Sequence, residues 1–358
     1  MEMQPCAGCG ASVEYAPGTT LLRCPYCGHE ERVARIGRQV REHPYAEMAE
    51  LPGKPLASHG VHVLRCEKCA AETESNALSD RCQFCGAPLI ADATLGDQVA
   101  PEAVLPFEVD RDGVRTALRR WVSSRWFAPA SLKRVTEAES LRGTYLPHWT
   151  FDARTESDYT GQRGEYYWVT ETHTVTVNGR TQTQSRQVRH TRWYDASGEV
   201  RHDFDDVLVP ASQRLADDQL AALAPWPLVD AVPYQPEFLA GYQTLRYDIG
   251  PQAGLATAKG DMAPVIEADC RADIGGDEQR VGSVDTRYFD VMFKLMLLPV
   301  WVACYLHRGR TFQVLVNGRT GDVTGERPYS AGKIAAAVLA GVVLLAAIAV
   351  LVAQARGG

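Results

Sequence analysis

The hydrophobic pattern of the chain changes period several times. Its longest apolar run, Ile334 to Ala353, reads IAAAVLAGVVLLAAIAVLVA without a charge or a strongly polar group. At 1.5 Å per residue such a run makes a helix about 30 Å long, the thickness of a bilayer's hydrocarbon core, and predicts a single C-terminal transmembrane helix. A core helix of a soluble protein would be shorter and carry polar residues along one side. The run Leu295 to Leu306, LMLLPVWVACYL, is too short to span and is interrupted by Pro299, so it predicts a buried strand. Apolar and polar positions alternate from Tyr145 to Tyr194 in the manner of strands. Asn178-Gly179 marks the hairpin turn between threonine- and glutamine-rich arms, and Asn317-Gly318 marks a second hairpin.

Helical spacing is more local. Asp110 stands where it can cap a helix whose Val114, Leu118, Trp121 and Val122 share one face, and Pro101 to Phe107 before it reads as a strand. Val33, Ile36 and Val40 recur among Glu and Arg and predict a linking helix over residues 30 to 42. Short helices over residues 211 to 223 and 251 to 266 would pack on the sheets, which makes the body α+β. One internal echo is visible: Tyr145-Leu146-Pro147-His148-Trp149 resembles Leu297-Leu298-Pro299-Val300-Trp301, as if each opened a β-rich stretch of two related half-domains.

Cysteines change this picture most. Eight of the ten form four Cys-x-x-Cys pairs, grouped as Cys6, Cys9, Cys24, Cys27 and as Cys66, Cys69, Cys82, Cys85. A Cys-x-x-Cys turn points two sulfurs at one centre, and two such turns joined by a dozen or so residues close a tetrahedral thiolate shell about 2.3 Å from Zn²⁺. Leu21-Leu22 run into Cys24, and Val61, Val63 and Leu64 run into Cys66, as short ribbon strands do. Gly28 and Gly86 follow the second pair of each group and supply the unhindered backbone of a knuckle turn. Thioredoxin-type dithiols instead present one such pair at a strand-to-helix junction. The spacing therefore predicts two structural Zn²⁺ ions, each with four thiolates and no open position for water. Loss of Cys24 or Cys82 should then unfold only its own ribbon. Cys270 and Cys304 read as small buried residues.

The resulting organisation is a first zinc ribbon over residues 1–30, a helical linker over 31–58 and a second zinc ribbon over 59–92. A β-rich α+β body follows over 93–332, and a transmembrane anchor over 333–358. Arg319, Arg327 and Lys333 precede the anchor and only Arg356 follows it, so the positive-inside rule leaves the N-terminal bulk in the cytoplasm, beneath a cytoplasmic membrane crossed once. The opening MEMQPCAGCG shows no charged n-region followed by an apolar stretch, and the cysteines read as cytoplasmic thiols in a tail-anchored protein. Ala336 with Ala340 and Ala337 with Gly341 have small-x-x-x-small spacing that would let another helix approach closely, and the sequence leaves homo-oligomerisation open.

Charge and motifs narrow the function. The formal net charge is −7, and residues 1 to 90 hold nine Lys/Arg against eleven Asp/Glu, which argues against a nucleic-acid partner. No Gly-x-x-x-x-Gly-Lys-Ser/Thr, His-Glu-x-x-His or Gly-x-Ser-x-Gly motif occurs, so no catalytic or cofactor-binding residue is assigned. Asp273-Ile274-Gly275-Gly276-Asp277-Glu278-Gln279-Arg280 is the one dense polar cluster; its paired carboxylates beside an arginine could bind a cation or act in acid–base chemistry, but the residues read first as a glycine-acid turn between strands. His148, His173, His190 and His202 lack ligand spacing.

With the two ribbons, the Leu-Pro-x-Trp segments, Ile274-Gly275-Gly276-Asp277, Asn317-Gly318-Arg319-Thr320-Gly321, Glu326-Arg327-Pro328-Tyr329-Ser330 and the apolar tail, the chain resembles a bacterial family. These are membrane-anchored zinc-ribbon proteins often labelled primosomal replication protein, helicase-like. The resemblance covers nearly the whole chain. It implies a non-enzymatic adaptor in envelope stress, working with phage-shock-type or flotillin-like (SPFH) proteins at the membrane. The alternative it implies is a nucleic-acid-binding protein of DNA replication, without an ATPase of its own.

Overall fold

The computed structural model describes residues 5–34, 36–50, 53–54, 62–75, 81–91, 98–125, 127, 129, 132, 141–177, 180–307, 310–325 and 329–356. Strands β1 (Glu14–Ala16), β2 (Leu21–Arg23) and β3 (Glu30–Arg32) form an antiparallel three-stranded sheet around the first cysteine group. The helix expected over residues 30 to 42 is absent from the described residues. Glu30–Arg32 pair with β2 instead, and Val33 is buried with Leu22 and Tyr15, so the apolar spacing marks one ribbon contact, not a helix face. The linking segment carries β4 (His43–Pro44), a 3₁₀ turn at Tyr45–Glu50 and β5 (Gly53–Lys54). The second ribbon contains β6 (His62–Cys66), β7 (Glu72–Ser75) and β8 (Leu89–Ala91); β9 (Gln98–Val99) pairs with β5, and β10 (Ala103–Val104) replaces the longer strand expected over 101–107.

Helix α1 (Arg111–Ser123) starts where expected, with Gly113 N donating to the Asp110 carboxylate at 2.8 Å, and it buries Val114, Leu118 and Trp121. Beyond it lie the longest elements of the chain. Strand β11 (Leu141–Val177, 37 residues) is about 120 Å long at roughly 3.3 Å per residue. It lies between β12 (Arg180–Pro210) and β15 (Glu278–His307), both antiparallel to it. Near the body the sheet is covered on both faces, so Leu146, Trp149 and Phe151 are buried alongside His148 and Thr150. Farther out the alternation becomes strict: Ala153, Thr155, Ser157 and Tyr159 are buried and Arg154 and Asp158 are exposed. The Asn178-Gly179 turn lies outside the described residues.

The remaining elements close the body around this arm. After α2 (Asp217–Ala221), β13 (Val232–Pro233) and β14 (Gln243–Leu245), helix α3 (Pro251–Ile274) lies along the arm. It outruns the helix expected over 251–266 by eight residues, and its buried stripe is Gly254, Ala258, Met262, Ile266, Cys270 and Ile274. Gly254 lets α3 approach the sheet, because a Cβ there would meet the Trp149 ring at 2.8 Å. Leu295 to Leu306 form the buried end of β15 as expected, and β16 (Arg310–Asn317) turns at Asn317-Gly318 into β17 (Val323–Gly325). The two echoed Leu-Pro segments do not open separate half-domains. They pair with each other, Tyr145 opposite Pro299 and Pro147 opposite Leu297, the second one about twenty residues into its strand.

Two N-terminal four-cysteine groups, a β-rich body with helices and one apolar C-terminal helix together make the α+β architecture that the sequence predicts. Helix α4 (Ala331–Arg356) contains an 18-residue window, Gly332–Ala349, with mean hydropathy 2.3 and no side chain buried in the body. It is long and apolar enough to span a membrane.

Candidate metal centres

Each cysteine quartet is assembled by two knuckles that repeat one backbone design. The first cysteine's N–H donates to the carbonyl five residues on, and the N–H four residues on donates back to that cysteine's carbonyl. The first pattern runs Cys6 to Ala11, Cys24 to His29, Cys66 to Ala71 and Cys82 to Ala87; the second runs from Gly10, Gly28, Ala70 and Gly86, all at 2.7–3.0 Å. The fifth residue of each knuckle has positive φ: 72° at Gly10, 73° at Gly28, 72° at Gly86 and 54° at Ala70. Three knuckles place glycine where no Cβ penalty applies, and the third places alanine there.

The sulfurs converge. Cys6–Cys27 and Cys9–Cys24 Sγ pairs lie 3.5 Å apart, Cys66–Cys85 lies at 3.4 Å and Cys69–Cys82 at 3.5 Å. All four sulfurs of each group lie within 4.8 Å of one another. A disulfide would need about 2.05 Å. Thiolates held about 2.3 Å from a central ion would be about 3.8 Å apart, close to the observed spacing. The donor set therefore fits one tetrahedral Zn²⁺ per quartet. Within each quartet the thiols are shifted in opposite directions. In the first group the Cys27 N–H heads the contacts that hold the Cys24 thiol down at about 6. In the second, burial pushes Cys69 up to about 11 and Cys82 further still. Four thiolates at this spacing need a cation to coexist.

The two ribbons are fastened to the body in different ways. In the first, Tyr15 N donates to Ala240 O at 2.9 Å, Gly18 N donates to Phe107 O at 3.0 Å, and the Tyr15 ring meets Phe238 edge-on at 5.3 Å. Its three strands form their own sheet. The second ribbon belongs to the body's sheet: β7 pairs with β14, and β14 pairs in parallel with β11. Leu64, Phe84 and Leu89 share one core with Leu146, Leu245, Val300, Val302 and Leu315. Polar contacts grip its knuckles as well. Arg214 donates to Cys69 O at 2.6 Å, Gln313 Nε2 donates to Phe84 O at 2.8 Å, and the Cys304 thiol donates to Gln83 O at 2.8 Å. Cys304, expected to be a bland buried residue, is thus half-buried against the second ribbon, with its thiol raised to about 12 by burial. Cys270 is buried on α3.

The other polar residues singled out from the sequence have structural partners. Residues 273–280 turn from α3 into β15 through Gly275 and Gly276, with φ of 64° and 79°. Asp273 accepts from the Tyr159 hydroxyl at 2.6 Å, Asp277 from Tyr166 N at 2.7 Å and Glu278 from the Tyr166 hydroxyl at 2.9 Å. This is the glycine-acid turn, with its carboxylates spent on docking to the arm. His148 is buried and pushed down to about 4 by desolvation, and His202 contacts Asp269 at 2.8 Å. The side chain of His173 lies outside the described residues.

One cluster has no counterpart in the sequence reading. Glu42, Asp152 and Asp205 gather at bulges in the arm, where Asp206 and Asp290 have φ of 51° and 50°. Lys294, whose side chain is 5% exposed, supplies the positive charge, at 2.7 Å from Glu42 and 2.5 Å from Asp206. Burial, then the hydrogen bond with Glu42, raises Asp152 to about 7. The ammonium neutralises this site from within. A lysine inside the apolar run Val291 to Leu298 is the signal that could have revealed it.

No protein-family model matches the chain, and no solved structure matches it. Among curated proteins it is 25% identical over 334 residues, 92% of this chain and 91% of the relative, to the protein described as "Uncharacterized protein YdjG" of Bacillus subtilis (strain 168).

Proposed function

We propose that the protein is a non-enzymatic, membrane-anchored adaptor. The eight cysteines hold two structural Zn²⁺ ions, α4 anchors the body with its N-terminal bulk on the cytoplasmic side, and the body recruits a protein partner there. The resemblance to membrane-anchored zinc-ribbon proteins adds a partner class, phage-shock-type or flotillin-like (SPFH) proteins, and an envelope-stress setting. The observation that carries the reading is the arm. From Gly143, paired with Trp301 in the body's sheet, to Trp168 is about 80 Å at roughly 3.3 Å per residue. Tyr167, Trp168, Val169 and Tyr194 stand exposed near that end, where a protein surface could cover them. Closed four-thiolate shells offer no open position for a substrate, which supports a binding role for the ribbons.

The experiment is a crosslinking pull-down from membranes with three forms of the chain: intact, lacking residues 334–358, and with residues 166–192 replaced by a short turn. The first deletion should release the protein from membranes after a carbonate wash. The arm deletion should stay membrane-bound and lose the partner. Retention of the same partner without the arm would refute the reading. One feature favours the nucleic-acid alternative: along one face of the arm Arg280 lies 3.7 Å over the Trp193 ring and Arg189 lies 4.1 Å over Tyr166, a stacking pattern that also suits single strands. Sub-micromolar gel-shift binding at about 0.15 M salt, lost on Arg189→Ala, would replace the adaptor with that reading.

A further inference from the structure

The arm changes from three strands to two at Gly164. Up to that residue β15 covers one edge of β11; beyond it, among the described residues, no strand does. Asp277 closes the last covered step from both sides, donating its N–H to Gly164 O at 2.8 Å and accepting Tyr166 N at 2.7 Å. Those contacts fix which way the backbone faces. Gly164 and Tyr166 point their polar groups away from β12, so Trp168, Thr170, Thr172, Thr174 and Thr176 do the same, because β11 and β12 pair without a register shift beyond Ala153.

This edge lacks the usual guards. Val169 to Val177 reads VTETHTVTV, with no proline, glycine or lysine and a single acid, and seven of its nine residues are β-branched. A free two-stranded ribbon is marginal in water, and an added strand stabilises it.

We propose that the occupant of this edge is a second copy of the chain, paired antiparallel over Tyr167–Val177 and centred on Thr172, joining two arms into one four-stranded sheet. Charge selects the copy and its register. Centring on position 171 sets Glu171 against the same glutamate of the other copy, and centring on 173 sets histidine against histidine. Centring on 172 sets Glu171 opposite position 173 of the second copy, an acid against a histidine, twice by symmetry, with Val169 opposite 175 and Thr170 opposite 174. In that register the outward-facing positions 168, 170, 172, 174 and 176 face one another, so each unpaired N–H meets a carbonyl. The proposal is independent of the adaptor reading.

The test uses the full chain in detergent micelles, with its mass followed by light scattering from about 1 to 100 µM, a range that brackets typical transient dimers. Wild type should pass from monomer to dimer. Thr172→Pro removes an edge-facing N–H and no hydrogen bond to β12, and should abolish the dimer while leaving hydrogen exchange in residues 141–160 unchanged. His173→Glu places glutamates opposite one another and should weaken the dimer about tenfold; Glu171→Lys places lysine opposite histidine and should weaken it too. The double variant Glu171→Lys/His173→Glu should restore it, and this charge set decides the matter even if the proline variant misfolds. A wild type that stays monomeric overturns the proposal. So does a dimer that survives Thr172→Pro in a folded arm, a double variant no tighter than either single one, or photo-crosslinks from position 172 that capture another protein or a nucleic acid instead of this chain.

Discussion

Replacing Cys82 with Ser should damage the body of the protein, whereas replacing Cys24 should remain largely local. Loss of one thiolate opens the second shell, and metal binding supplies most of the folding free energy of so small a ribbon. Its strands are also the outer part of the body's sheet, through β7, β14 and β11. Leu64, Phe84 and Leu89 are 0%, 3% and 5% exposed and cover Leu146, Val300 and Leu315. Burial of one such side chain stabilises by roughly 1.5–3 kcal/mol, so withdrawing all three costs roughly 5–9 kcal/mol as an upper figure. That is the scale of a whole domain's net stability, about 5–15 kcal/mol. The first ribbon keeps a sheet of its own; it meets the body where Tyr15 packs into a core shared with Phe107, Tyr145 and Phe238, and through hydrogen bonds from Tyr15 N, Gly18 N and the Tyr242 hydroxyl. Hydrogen exchange by mass spectrometry on the full chain in detergent separates the cases. In Cys82→Ser, amides of residues 243–245, 141–150 and 296–305 should exchange about a thousandfold faster, the equivalent of roughly 4 kcal/mol. In Cys24→Ser the change should stay within residues 5–34 and 236–242. A Cys82→Ser protein that exchanges faster only over residues 62–91 would refute the reasoning and return the second ribbon to the status of an independent module.

Metal analysis of the purified chain should give about two zinc ions per molecule, and reduced protein with one or none would exclude the paired thiolate sites. Ala70→Gly should stabilise the third knuckle by up to about 1 kcal/mol, because relief of a left-handed alanine, roughly 1–2 kcal/mol, is offset by the freer unfolded chain; slower zinc loss to a chelator is the readout, and faster loss would contradict the turn geometry. Asp152 is raised from 3.8 to about 7, so folding takes up a proton between those values. Its contribution therefore favours folding on the acid side and declines as pH rises from about 4 to about 7. Asp152→Asn should flatten the pH dependence of stability in that window, and an unchanged slope would place the titration elsewhere.

The features legible in the sequence are those fixed by a few adjacent residues. A knuckle needs two cysteines and a turn, so four Cys-x-x-Cys pairs locate both thiolate groups without any knowledge of the body. The Asp110 cap, the strand from Leu295 to Leu306 and the apolar span ahead of Arg356 are local in the same sense. The misread helix at 30–42 shows the limit of a short periodic pattern. Val33 is apolar because it closes the ribbon, while Ile36 stays 42% exposed, and three spaced residues cannot separate these cases from a helix stripe. Helix α3 fails in the opposite direction. Its face against the arm includes Gly254 and Ala258, small enough for close approach, and past Ile266 the buried stripe continues through Cys270, which is too weakly apolar to carry the pattern on to Ile274.

What the sequence withholds is set by contacts between distant positions. Period-two alternation tells which face of a strand is covered and says nothing of how far a neighbour follows it, so the end of the arm's third strand at Gly164 is a property of β15, more than a hundred residues later. The same holds for Lys294, whose carboxylates at Glu42 and Asp206 lie 252 and 88 residues away. Fusion of the second ribbon to the body depends on Thr244 pairing with Glu74, again across the chain. These long-range pairings have a common consequence. They bind the linking segment, the second ribbon and α3 to one end or one face of β11, and among the described residues none covers its edge beyond Gly164. The part of the chain whose partner is least legible is therefore also the part most available to another molecule.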